Sequence, residues 1–190
     1  MRIIIILLIW LYFFLFPKET VLIVQFKGVN DSVVIGVGRL LKKIYDVRIV
    51  VAKGYYLPDT AYMKNENKYD ARKINNYLDS TFKADKVVGI TNEGLLWDRF
   101  RMGWYEDIYG LGDQPGKSCV VSTWQVDSSK IVSETALLAV HEIGHTYGLP
   151  HCTKDSTCYM VKGDGSTKSI DICTHFCNSC KKLLKILHKW

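Results

Sequence analysis

The sequence predicts an α/β fold with a mixed, mostly parallel sheet. Two observations carry this. Short β-branched runs alternate with longer segments of helical spacing, the pattern of strand–helix–strand units, and the helical segments open on capping residues. A third is size: 190 residues that are 48% apolar can bury one domain core.

The elements come in order along the chain. "VLIVQF" (21–26) is a short apolar run and reads as a buried strand. "NDSVVIGVGRLLKKIYDV" starts with Asn30 and Asp31 and places Val34, Val37, Leu41 and Ile44 on one face, so it reads as a helix. Gly36 and Gly38 fall inside that helix, where close packing explains them better than a phosphate loop. "VRIVVA" reads as a second strand, "YDARKINNYLDSTF" as a second helix and "KVVGIT" (86–91) as a third strand. Residues 94–116 are irregular and carry Trp97, Trp104, Tyr105 and Tyr109. They read equally well as the wall of a cleft or as an aromatic loop laid on the core. "SCVVSTWQV" (118–126) reads as a further strand, and "DSSKIVSETALLAVHEIGHTYG" as a long helix stopped by Gly148. "THFCNSCKKLLKILHKW" closes the chain as an amphipathic helix with Leu183, Leu184, Leu187 and Trp190 on one side.

The first 19 residues stand apart. Ile3 to Phe16 is apolar throughout and comes directly after Arg2. Fourteen helical residues span about 21 Å, less than the roughly 30 Å hydrocarbon core of a bilayer. No small-residue cleavage site comes after it, which argues against a signal peptide. The expectation is a membrane anchor over 1–19 and a folded domain over 20–190, facing the cytoplasm if tethered and cytoplasmic otherwise. The net charge is +6, but apart from Lys181, Lys182, Lys185 and Lys189 the basic residues are scattered among acidic ones. That pattern reads as solvated surface and gives no nucleic-acid footprint. Six cysteines, five of them after residue 151, are too lopsided for a disulfide framework, and a C-x-x-C pair favours metal binding.

The chemistry lies in "HEIGHTYGLPHC" (141–152). His141 and His145 are four apart on a helix and share a face. Zinc is the metal two imidazoles at this spacing most often share. Glu142 sits about 100° further round, placed to act on a water as general base without being a ligand. Gly148 ends the helix through the left-handed conformation, Pro150 prevents its resumption, and His151 arrives as third ligand. Three protein ligands leave a fourth position open, the catalytic rather than the structural arrangement. By ordinary residue frequencies H-E-x-x-H alone occurs in roughly one chain of this size in a few hundred, and the added positions lower that about a thousandfold.

With this motif the sequence resembles the metzincin zinc proteases. Its continuation, Cys152, Cys158, Met160 and Cys177-x-x-Cys180, resembles the archaemetzincin family from about Val21 to Cys180. The resemblance implies a metzincin-like domain with a zinc-braced C-terminal region and two zinc ions. His141, His145 and His151 would hold the catalytic zinc, with Glu142 as general base and Met160 as the methionine-turn floor. Cys152, Cys158, Cys177 and Cys180 would hold the structural zinc. The spacing departs from the family pattern by one residue between Cys152 and Cys158 and again between Met160 and Cys177, and Cys173 is a fifth thiol in reach, so the third thiolate stays open between Cys173 and Cys177. The 118–126 strand resembles the metzincin edge strand that aligns a peptide. The implied activity is zinc-dependent peptide-bond hydrolysis of a peptide or protein substrate. A non-catalytic zinc-stabilised module, or a zinc hydrolase of another amide or ester, are the alternatives. Retention of Glu142 argues against the first, since zinc binding alone does not need it.

Overall fold

The computed structural model describes residues 18–99, 102–163 and 168–188. The first half contains β1 (Thr20–Phe26), α1 (Asp31–Tyr45), β2 (Arg48–Tyr55), β3 (Tyr62–Met63), β4 (Lys68–Asp70), α2 (Ala71–Thr81) and β5 (Lys86–Thr91). Then come β6 (Leu95–Trp97), β7 (Glu106–Ile108), β8 (Gly110–Gly112) and β9 (Ser118–Ser122). The helices α3 (Ile131–Thr146), α4 (Lys168–Asp171) and α5 (Asn178–His188) complete the chain. The apolar run 3–16 lies outside the described residues, and no helix among those described is long and apolar enough to cross a membrane.

Five strands form the main sheet in the order β2-β1-β5-β9-β8. Every neighbouring pair is parallel except β8 on β9, which is antiparallel. A smaller mixed sheet, β3-β4-β6-β7, stands beside it. Alternation along β1 feeds both faces. Val21 and Ile23 join the core under α1 and α3, while Val24 and Phe26 join a second core under α2. The fully buried Ile74 and Leu78 show why α2 forms: its apolar positions are four apart, and Asp70 caps its first turn. The predicted helix packing at Gly36 holds, because a Cβ there would collide with Val132 of α3.

Three expectations need correction. The strand predicted over 118–126 ends at Ser122, and Gln125 takes a left-handed turn conformation (φ 61°). That strand is also not an edge: β9 lies between β5 and β8, so β8 takes the edge. Three residues, two of them glycine, carry too little β-propensity to show as a strand in sequence. The last helix begins at Asn178 rather than at the start of "THFC", because Cys158 bridges His175 in extended conformation. Leu184 is buried as expected, but Leu187 is 46% exposed.

Candidate metal centres and active-site cleft

The helix α3 owes its register to an apolar face against the main sheet and α1, with Ala139, Val140 and Ile143 fully buried. That packing aims His141 and His145 the other way, into a cleft of about 550 Å³. The helix ends as the sequence predicts. Gly148 adopts φ 88°, its N–H donates to the His145 carbonyl at 2.7 Å, and Leu149 N–H donates to Gly144 O at 3.0 Å. The turn then delivers His151. Ring nitrogen Nε2 of His145 lies 3.0 Å from Nε2 of His141 and 3.3 Å from Nε2 of His151.

Backbone carbonyls decide the tautomers. Nδ1 of His141 is 2.7 Å from Tyr159 O and Nδ1 of His145 is 2.8 Å from Leu149 O. A carbonyl can only accept, so both Nδ1 atoms carry the proton and both Nε2 atoms present lone pairs. Burial holds His141 at about 3 and His145 at about 4, so both rings are neutral at neutral pH. Two neutral imidazoles with lone pairs at hydrogen-bond distance repel unless a cation lies between them. This donor set fits zinc, including the carbonyl contacts that orient metal-binding histidines.

Glu142 sits on the cleft side of the same helix and is 7% exposed. Burial lifts its carboxyl to about 8, against a smaller opposing pull from the Gly112 backbone N–H. The β8 glycines make that position possible. A Cβ at Gly110 would come within 2.8 Å of the Glu142 side chain, and one at Gly112 would strike the helix backbone. The 94–116 region therefore walls a cleft, the first of its two possible readings: Trp97, Tyr109 and the β7–β8 segment line it. Trp104 does not take part and is 75% exposed.

The segment after His151 folds back under the histidines. Met160 is fully buried against Gly144, where any Cβ would overlap its sulfur. Its neighbour Tyr159 supplies the carbonyl for His141. Cys158, one residue earlier, enters the second cluster. There the sulfurs of Cys152, Cys158, Cys177 and Cys180 lie within 4.8 Å of one another, and all four residues are buried. Cys152 Sγ is 3.7 Å from Cys177 Sγ. Amide N–H groups of Cys177 and Cys180 point at Cys158 Sγ (3.3 Å) and Cys177 Sγ (3.5 Å). Burial raises the Cys177 thiol, but the Cys180 amide and the neighbouring sulfurs outweigh it and leave it lowered. No disulfide forms among the six cysteines. Four clustered sulfurs with amide donors suit a closed thiolate site. Cys173 stands outside the group, with burial lifting its thiol to about 11.

Sequence reasoning misses several supporting groups. The Gly112 N–H and the carbonyls of Tyr159 and Leu149 are backbone groups with no side-chain signature. Gly144, inside an otherwise unbroken helix, is the available signal for the buried methionine. Lys86 is also invisible in sequence. Its Nζ donates to Thr146 O at 2.9 Å and to Gly116 O at 2.6 Å, joining the end of α3 to the loop after β8.

The model of peptidase family M54 matches residues 19–186. The chain belongs to that family. Among its relatives, the archaemetzincin of Haloquadratum walsbyi is 29% identical over 157 residues, covering 76% of this chain and 87% of the relative. The crystal structure of the archaemetzincin from Methanopyrus kandleri superposes with a TM-score of 0.76 at 27% identity, covering 91% of this chain and 97% of that one. A zinc-dependent peptidase from Methanocorpusculum labreanum shares the fold, with a TM-score of 0.73 at 19% identity and coverage of 86% and 99%. With the histidine cluster in place, the M54 chain is a zinc metallopeptidase.

Proposed function

We propose that the two clusters hold two zinc ions with separate duties, and that peptide bonds are cleaved at the histidine cluster. His141, His145 and His151 would be the ligands of the catalytic ion, and Cys152, Cys158, Cys177 and Cys180 those of a structural ion. Bound at the histidines, zinc would supply Lewis-acid polarisation of the scissile carbonyl and acidify a coordinated water. The observation that carries the reading is the pair of carbonyl-fixed histidines whose Nε2 atoms converge beside Glu142.

The protein groups then have distinct tasks. Glu142 would accept a proton from the attacking water and pass it to the leaving amine. Its place on the cleft side of α3, next to His141 in the chain, supports this. Among the described residues the edge strand β8 has a strand partner on one side only, which suits it to align an extended peptide by backbone pairing. Met160 would hold the floor below the histidines through its contact with Gly144. Residues 3–16 would tether this domain to a membrane, with the free cysteines favouring a reducing compartment. The test is cleavage of a peptide library by the zinc-loaded protein beside a Glu142→Ala control. Cleavage by the parent alone supports the reading; equal cleavage by both, or by neither, overturns it.

A further inference from the structure

The far edge of the main sheet carries a second groove that the peptidase reading does not use. It has a volume of about 380 Å³ and runs between α1 and β2. It is lined by Ile35, Ile49 and Val51 together with Arg39, Lys42 and Lys53. Ile35 is 59% exposed and Val51 41% exposed, so apolar surface faces solvent beside cationic side chains. Lys53 is matched by Asp31 at 2.8 Å. Apolar surface rimmed by lysine and arginine is the composition that seats on acidic lipid headgroups.

The described chain begins beside the C-terminal end of α1. Lys18 pairs with Asp46, the residue that caps the last turn of α1, and Glu19 O accepts from Arg48 N–H at the start of β2. Lys18, two residues after the apolar run in sequence, therefore stands at the end of α1 whose last turn holds Lys42. That run is too short to span a bilayer by itself, and stable attachment generally takes a second contact. The sheet order puts β2 at the edge opposite β8. A membrane on the β2 side thus leaves the catalytic cleft facing solution.

We propose that the α1–β2 groove is a membrane-facing surface for acidic phospholipids, acting together with the apolar N-terminal run. This rests on the anchor reading for residues 3–16. The lipid heads meet Arg39 and Lys42, while Ile35 and Val51 sit at the headgroup boundary.

The test is co-sedimentation of the full-length zinc-loaded protein with vesicles of phosphatidylcholine, alone or mixed with phosphatidylserine, at low and physiological salt. The parent should favour the acidic vesicles, and the preference should shrink as salt rises. Arg39→Glu with Lys42→Glu should lower partition into acidic vesicles about tenfold or more, with binding to neutral vesicles and peptide cleavage unchanged. Ile35→Asp with Val51→Asp should lower it as well. Ile5→Lys with Leu8→Lys reports on the anchor separately: loss of binding to neutral vesicles supports the anchor, and unchanged binding rejects it while the acidic-lipid comparison still reads the groove. An equal partition of parent and Arg39→Glu/Lys42→Glu protein into acidic vesicles overturns the groove proposal. So does a change in self-association on Val51→Asp without any change in vesicle binding, which would make this face a contact between copies of the chain.

Discussion

The three histidines come from one helix and the turn that ends it, whereas the four cysteines come from two segments that meet only when the C-terminal region folds back. Their exposure differs in the same sense. His151 is exposed and the histidine cluster opens on a cleft, while every member of the cysteine cluster is buried. An open donor set can exchange a ligand with substrate; a closed one can only hold shape. The residues between the clusters tie them together. Cys158 belongs to one, the Tyr159 carbonyl orients a histidine of the other, and Met160 packs under the helix between His141 and His145. The Cys158–Tyr159 dipeptide therefore links the cysteine cluster to the ring of His141.

This contrast gives predictions that differ between the clusters. The largest effect belongs to Glu142→Ala: with Glu142 as the proposed general base, turnover should fall about 10²–10⁴-fold. Zinc content by elemental analysis should stay at two per chain. Loss of zinc along with activity would make Glu142 a ligand instead.

Cys158→Ser should act first on the fold. A closed zinc site contributes folding free energy directly, so this variant should lose one zinc, melt at lower temperature and also bind the remaining zinc more weakly. Weakened binding is expected because Tyr159 O moves with Cys158. Normal histidine-site affinity in a Cys158→Ser protein would show that the two clusters are independent.

Chelation should separate the sites in time. Ethylenediaminetetraacetate should remove the cleft zinc first, abolishing cleavage while circular dichroism remains native, and unfolding should come only when the second zinc leaves. Simultaneous loss of activity and structure would contradict the open-versus-closed distinction.

Gly148→Ala is a smaller, local change. At φ 88° an alanine should cost about 1–2 kcal/mol, and its Cβ would also press on Leu187 at 3.3 Å. Thermal unfolding should show the loss, and cleavage should fall because His151 comes directly after the turn. Cys173→Ser should be the mildest, about 1 kcal/mol for placing a hydroxyl in a buried site, with both zincs retained. Loss of the second zinc in that variant would put Cys173 in the place given to Cys177.

The histidine site was legible in the sequence because helix periodicity is local. Four residues make about one turn, and Gly148 and Pro150 fix the direction of the chain beyond the helix, so spacing alone placed His141, Glu142, His145 and His151 together. The helices and long strands were legible for the same reason, through capping residues and apolar periods that each segment carries within itself. The cysteine set was legible only through resemblance to a family, since nothing in spacing chose Cys177 over Cys173. Tertiary closure separates them: the strand-like bridge between Cys158 and His175 brings the C-x-x-C to the loop and leaves Cys173 outside the cluster. The edge strand was decided at the same level. Gly110–Gly112 has almost no side-chain signal, and it becomes a strand because β9 offers an unpaired edge and α3 leaves room only for glycine. Whatever the amino acids encode through their neighbours in sequence could be read directly. Whatever they encode through backbone groups meeting across the fold, such as the Tyr159 and Leu149 carbonyls and the Gly112 amide, required the chain to close first, because every residue carries a carbonyl, nearly every one an amide N–H, and only geometry selects among them.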